Sequence, residues 1–240
     1  MKPNAPRGIV LVADDNLDIR VLVRLALEDA GYEIYDAADG AVADRLVHER
    51  SPHLVILDVV MPYISGLELL RRWRGQRLAM GVIVLTGYGD DDSVADALEA
   101  GADDHIAKPF QIRELVERVN AVLRRMRRFE PADTEMVVGD VRLDLAGQRV
   151  VVGERVVPLS KTEVALLREL MAAPGVAVSS EELLARVWGP AYRGDAEIVR
   201  TNVYRLRRKL NGASFLLSRP GVGYLVASPP DPGPAPEQMS

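Results

Sequence analysis

Residues 54–62 read LVILDVVMP: four aliphatic residues, an aspartate, three more apolar residues and a proline. A run this apolar belongs in a strand covered on both faces, so the lone carboxylate, Asp58, marks where the buried strand emerges into a crevice. Working outward, the same grammar repeats. IVLVA is followed by an amphipathic stretch from Leu17 to Ala30, EIYDA by Ala41 to Glu49, and LVILD by Gly66 to Arg74. VIVLT is followed by Asp92 to Glu99, and DHIA by Gln111 to Arg125. These units predict an α/β, doubly wound, five-stranded parallel sheet over residues 8–125.

The second half reads differently. VVGDVRLDL, QRVVV and RVVPL, separated by turns at Ala146-Gly147 and Gly153-Glu154, predict a small antiparallel meander. Ser160 with Glu163, and Ser179 with Glu182, are capping-box starts; the second opens a helix expected to run through Val187. A third helix is expected over 196–210, then two short strands, FLLS and GYLVA, around Arg219-Pro220-Gly221. The expected organisation is a first domain at 8–125, a polar linker at 126–136, a second domain at 137–228 and a proline-rich, disordered tail at 229–240.

The chain has 240 residues, enough for two cores, and a net charge of −5. That total hides a division: residues 1–128 carry 17 Lys+Arg against 21 Asp+Glu, whereas Ile198 to Pro230 hold six basic residues and no acid. A local basic stretch on an acidic protein points to a polyanion partner for that stretch. Without cysteine, a run of eighteen apolar residues or a cleavable leader, the expected compartment is the cytoplasm, with no membrane contact.

In a doubly wound sheet, function gathers beyond the carboxyl ends of the strands. Those ends carry Asp14 and Asp15, Asp58, Thr86 and Lys108. Three converging carboxylates repel unless a cation compensates them. Oxygen donors without His or Cys favour a hard ion, and few protein ligands favour Mg2+. Asp58 is then a candidate nucleophile towards a phosphoryl donor, with Thr86 and Lys108 as partners for the phosphoryl oxygens. Lys108 stands out in a chain with 26 arginines and four lysines.

VADD, LDVVMP, the following Gly66, LTG and GADDHIAKPF, in that order, resemble the receiver domain of two-component response regulators, a flavodoxin-like fold. The resemblance implies phosphorylation of Asp58 by a histidine kinase. It also implies Mg2+ ligation by Asp15, Asp58 and the Val60 carbonyl, with Asp14 acting through water. Thr86, Lys108 and His105 become the switch and phosphate-sensing residues, and a cis peptide is expected before Pro109. His105 stands where an aromatic switch residue is usual. Asp104, Glu114 and Arg118 are the expected dimer interface, with Val94 where a basic partner for Glu114 is common.

On the third helix, Val199, Val203, Leu206 and Leu210 recur at helical spacing and predict one buried face, leaving Thr201, Asn202, Tyr204, Arg205 and Arg208 to point outward. Arg and Asn on such a helix suit base edges in a major groove, and further arginines suit phosphates. LSKTEVALLRELM, SSEELLARVWG, VRTNVYRLRRKL and RPGVGYLV resemble the winged helix-turn-helix output domain of the OmpR/PhoB family. That implies homodimers on direct-repeat double-stranded DNA, formed on phosphorylation. Arg200, Thr201, Asn202, Tyr204, Arg205, Arg207, Arg208 and Arg219 are the expected DNA contacts. The loop from Gly189 to Asp195 is the candidate RNA polymerase contact, and Pro220 stands where a wing arginine is usual. The expectation is a regulator rather than a turnover enzyme. A haloacid-dehalogenase-like phosphatase would need nucleophile and acid two residues apart, but Asp14 and Asp15 are adjacent. A protein-binding regulator without DNA is separated by salt-dependent duplex binding.

Overall fold

Alternation within the apolar strands builds the first domain. In β1 (Ile9–Ala13), β3 (Leu54–Asp58) and β4 (Gly81–Thr86), residues Val10, Val12, Leu54, Ile56, Ile83 and Leu85 face one core. Their neighbours Leu11, Ala13, Val55, Leu57, Val82 and Val84 face the other. Period-2 side chains that are apolar at every position need cover on both sides. Helices α1 (Leu17–Asp29) and α5 (Ile112–Arg127) cover the first face with Val23, Leu27, Leu115, Val119 and Val122. Helices α2 (Gly40–Arg50), α3 (Gly66–Gly75) and α4 (Asp91–Ala100) cover the second. With β2 (Glu33–Ala37) and β5 (Asp104–Ala107), the parallel sheet has the order β2-β1-β3-β4-β5. Its switch point lies between β1 and β3, where this topology opens a crevice at the carboxyl ends. This computed structural model describes residues 6–76, 78–87, 91–127, 135–211 and 214–227.

The second domain opens with an antiparallel sheet of β6 (Glu135–Val138), β7 (Val141–Asp144), β8 (Arg149–Val152) and β9 (Arg155–Pro158). It has one strand more than the three runs suggested, because Gly139, at φ 57, turns VVGDVRLDL back on itself. Both capping boxes form, opening α6 (Lys161–Met171) and α7 (Ser180–Leu183). The second helix does not stay α-helical to Val187: after Leu183 it widens into a π-helical turn, Leu184–Trp188. A 3-10 turn (Pro190–Tyr192) leads to α8 (Ala196–Lys209), and β10 (Leu216–Arg219) pairs with β11 (Gly223–Val226) as the wing. Within the linker expected at 126–136, α5 continues to Arg127 and β6 begins at Glu135, and residues 128–134 lie outside the described residues. The proline-rich tail at 229–240 lies outside the described residues. Among the described residues, no helix is long and apolar enough to cross a membrane.

The output core contains a buried ion cluster. Glu163, fully buried, takes Lys209 at 2.7 Å and Arg205 at 3.7 Å while closing the α6 capping box. Burial alone would raise its carboxyl pKa; Lys209 and Arg205 more than offset this and hold it below the ordinary value. A depressed folded-state pKa means that its stabilising contribution is present above the unfolded value and lost as pH falls through the folded one. Glu163→Gln leaves Arg205 buried without its counter-charge, so the output domain is expected to lose about 3 kcal/mol. Urea unfolding followed by Trp188 fluorescence in a Trp73→Phe background checks this, and the variant should also lose part of the parent's acid sensitivity.

Candidate functional site: an acidic pocket and a covered basic helix

The carboxyl ends of four strands build the pocket. Asp14 and Asp15 follow β1, Asp58 ends β3, Thr86 ends β4 and Lys108 follows β5. Carboxylate oxygens of Asp14, Asp15 and Asp58 lie within 4.8 Å of one another. The Lys108 ammonium bridges two of them, 2.8 Å from Asp14 Oδ2 and 3.0 Å from Asp58 Oδ1. Asp14 and Asp58 are buried and Asp15 is exposed, so the cluster opens to solvent on one side. Gly66 starts α3 so close behind β3 that a Cβ there would sit 1.9 Å from the Asp58 carbonyl oxygen. Lys108 is held by its own N–H, which donates to the Thr86 carbonyl at 2.8 Å, and the Lys108–Pro109 bond is cis.

The electrostatics leave negative charge unmet. Burial raises the Asp58 carboxyl pKa; the bond to Lys108 opposes this, and the charges of Asp14 and Asp15 reinforce it. Burial would depress the Lys108 ammonium, but its bonds to Asp14 and Asp58 outweigh that and raise it. One lysine against three carboxylates is a donor set that a hard divalent cation completes. On the other side, the Thr86 hydroxyl is buried with no hydrogen-bond partner among the described residues, although a buried hydroxyl normally finds one. Val60, two residues beyond Asp58, is 74% exposed. His105 is half-buried with its Nδ1 unpartnered among the described residues, and its backbone N–H donates to Asp104.

Sequence reading missed Arg20, whose guanidinium donates to the carbonyls of Asp14 and Asp15 at 2.8 and 3.0 Å and so fixes the turn carrying both acids. Its signal is a basic residue one helical turn and a half beyond the acidic pair. It also missed a stripe on α1: Leu17, Val21 and Leu25, spaced by four, are each about half exposed or more.

The basic helix departs from expectation. Arg200, Tyr204 and Arg208 are exposed and Thr201 is half-buried, but Asn202 and Arg205, expected to point outward, are 1% and 4% exposed. Asn202 folds back to donate to its own helix at the Ile198 carbonyl. Arg205 turns inward to Glu163 and reaches the Ala102 carbonyl of the first domain at 3.5 Å. Arg207 is half-buried, fastening α8 to the wing through the Leu216 carbonyl and Ser218. Arg219 is exposed at the end of β10.

The reason for part of this burial is that the first domain packs on the second. Asp104, fully buried, accepts from the Tyr192 hydroxyl and lies 3.1 Å from Arg118, whose guanidinium stacks 4.5 Å above the Tyr192 ring. Thr162 donates to Asp103 at 3.0 Å, Arg208 pairs with Glu99, and Ala121 of α5 packs into the output core. Burial raises both the Asp104 carboxyl and the Tyr192 phenol. The residues expected to meet a second copy are thus engaged within one chain, with Glu114 on Arg118 at 3.0 Å and Val94 packed against the receiver core.

An acidic, lysine-bridged crevice on one domain and a winged helix on the other define a receiver coupled to a DNA-binding output module. Residues 10–120 match the response regulator receiver domain, and residues 153–226 match the C-terminal domain of transcriptional regulatory proteins. The chain belongs to the OmpR/PhoB family of response regulators. It is 38% identical to the phosphate regulon transcriptional regulatory protein PhoB of Pseudomonas aeruginosa, over 90% of this chain and 95% of that one. It is 37% identical to the transcriptional regulatory protein TrcR of Mycobacterium tuberculosis, over 92% and 87%. A solved mutant of RitR shares the fold, with a TM-score of 0.75 at 22% identity over 92% of this chain and 99% of that one. The chain is accordingly a phosphorylation-dependent transcription regulator, with a histidine kinase as partner and DNA as target.

Proposed function

We propose that Asp58 accepts the phosphoryl group, with Asp14, Asp15 and Asp58 holding Mg2+, and that phosphorylation releases the output domain to dimerise on direct-repeat DNA. The observation that carries this is the pairing of a charge-frustrated Asp58 with an unpartnered Thr86 hydroxyl at the same strand ends. An Asp58 oxygen attacks phosphorus while the bond from phosphorus to the kinase histidine breaks, and the leaving nitrogen keeps the electron pair. Lys108 moves from the carboxylates to a phosphoryl oxygen, and the Thr86 hydroxyl donates to another. Mg2+ supplies neutralisation of the charge on the transferred group. The chain is a phosphoryl acceptor rather than a turnover enzyme in this reading, and a cytoplasmic one. The exposed Leu17, Val21 and Leu25 stripe on α1, the helix that follows Asp14 and Asp15, offers the kinase an apolar surface.

Dimerisation has a defined structural obstacle in the closed arrangement. Dimerisation through Asp104, Glu114 and Arg118 cannot occur while Tyr192 covers Asp104 and Arg118, so the closed arrangement and the dimer exclude each other. A phosphoryl group favours whichever state it binds better, and the dimer gains by effective concentration on two half-sites.

DNA contact in the open state is assigned to Arg200, Thr201, Tyr204, Arg208 and Arg219. The logarithm of duplex affinity should fall linearly with the logarithm of salt concentration, and Arg219→Ala should make that slope shallower by about one unit. Fluorescence anisotropy over a salt series checks this. An affinity independent of salt would remove nucleic acid from the account.

A further inference from the structure

A second recess, of about 550 Å3, lies between the domains. It is far from the phosphoryl site in topology: its receiver wall is formed at the amino ends of the strands, by Arg74 and the segment leading to Gly81, whereas Asp58 is at a carboxyl end. Four cations line it, Arg74, Arg149, Lys161 and Lys209, against two acids, Glu99 and Asp103.

The acids are already engaged. Asp103 holds Arg74 at 2.8 Å and accepts from Thr162, and Glu99 holds Arg208. Arg149 is bound by Asp144 at 2.8 Å and Lys209 by Glu163 at 2.7 Å. Lys161 alone among the lining cations makes no hydrogen bond or ion pair with a described residue. It is half-buried, and burial pulls its ammonium below the ordinary lysine value despite the attraction of Asp103. A half-buried cation with no hydrogen bond to a described residue is a cost that a bound anion removes. The walls also carry Leu78, Met126 and Val156, which suit an organic body better than hydrated inorganic phosphate, and the volume is that of a small-molecule site.

We propose that this cleft binds an organic phosphate of nucleotide size, its phosphates on Lys161 and its body against Leu78, Met126 and Val156. Its contacts come from both domains, so the ligand stabilises the closed arrangement and opposes DNA binding by linkage. That regulatory half rests on the proposed reading of the closed form as inactive; the binding itself does not.

The test is calorimetric titration of the full-length, unphosphorylated protein with ATP in EDTA, which keeps divalent metal from the aspartates. Saturable binding at one site is expected. Lys161→Glu on the output wall and Ala79→Glu on the receiver wall should each weaken it about tenfold or more, the worth of a charged hydrogen bond. Asp58→Asn should leave it unchanged. ATP should also lower the duplex affinity of the parent and not that of Lys161→Glu. Absent binding, binding that survives Lys161→Glu, or an equal loss in the wing variant Arg219→Ala would overturn the site. Tripolyphosphate binding as tightly as ATP would overturn the organic body. ATP that binds but leaves duplex affinity untouched would overturn the linkage, while Asp58 labelling judges the phosphoryl-acceptor reading separately.

Discussion

Asp58→Asn is expected to abolish labelling by acetyl phosphate, with no residual signal on another carboxylate. An amide oxygen is not a nucleophile at neutral pH, and neither neighbour can replace it. Asp14 is fully buried and committed to Lys108 at 2.8 Å and to the Asn16 N–H at 2.9 Å, while Asp15 is exposed at the outer edge of the cluster. The variant should not be less stable than the parent. The raised pKa of Asp58, caused first by burial, means that its ionised form is disfavoured in the folded protein, so removing that charge at neutral pH should raise stability in the absence of metal. Intact-mass measurement after incubation with acetyl phosphate and Mg2+, beside a thermal melt in EDTA, separates lost chemistry from lost folding. Undiminished labelling of a well-folded variant would defeat the assignment of Asp58.

Opening the two domains without phosphorylation is the second large expected effect. Tyr192→Phe removes the bond to Asp104 and leaves that buried carboxyl short of a donor. Glu99→Arg turns an exposed pair with Arg208 into a repulsion. Neither change excavates a core: the first keeps the ring under Arg118 and the second is at the surface. Losing a buried hydrogen bond to a charged group is worth about 2 kcal/mol, and the surface reversal up to about 1. Together they should shift the closed-to-open ratio about a hundredfold. The unphosphorylated double variant should show a larger radius of gyration in solution scattering and tighter duplex binding than the parent. If both measurements match the parent, the Tyr192–Asp104 contact does not restrain the output domain.

These two expectations differ in how far the sequence alone could have led to them. The acidic pocket was legible because each functional residue follows an apolar run, and the carboxyl ends of a parallel sheet must meet. Asp14, Asp15, Asp58, Thr86 and Lys108 needed only strand periodicity to be placed together. On α8, periodicity correctly buried Val199, Val203, Leu206 and Leu210, but it could not orient Asn202 and Arg205. A helix wheel separates apolar from polar residues, and the fate of a polar residue depends on partners distant in sequence: Glu163 on α6 and Ala102 in the other domain. The hairpin at Gly139 was readable in hindsight, since a glycine–aspartate pair inside a β run is a turn signal.

By itself, the sequence determined two folds and the side chains that meet in one crevice, because local hydrophobic period sets element type and topology then delivers strand ends to one place. Only the tertiary structure decided that the receiver lies on the output domain. It alone showed Tyr192 covering Asp104 and Arg118, and Lys161 lining a cleft with no hydrogen bond or ion pair to a described residue. Contacts between side chains about ninety residues apart leave no periodic trace in either segment; they arise from the meeting of two finished surfaces, and only the folded chain contains both.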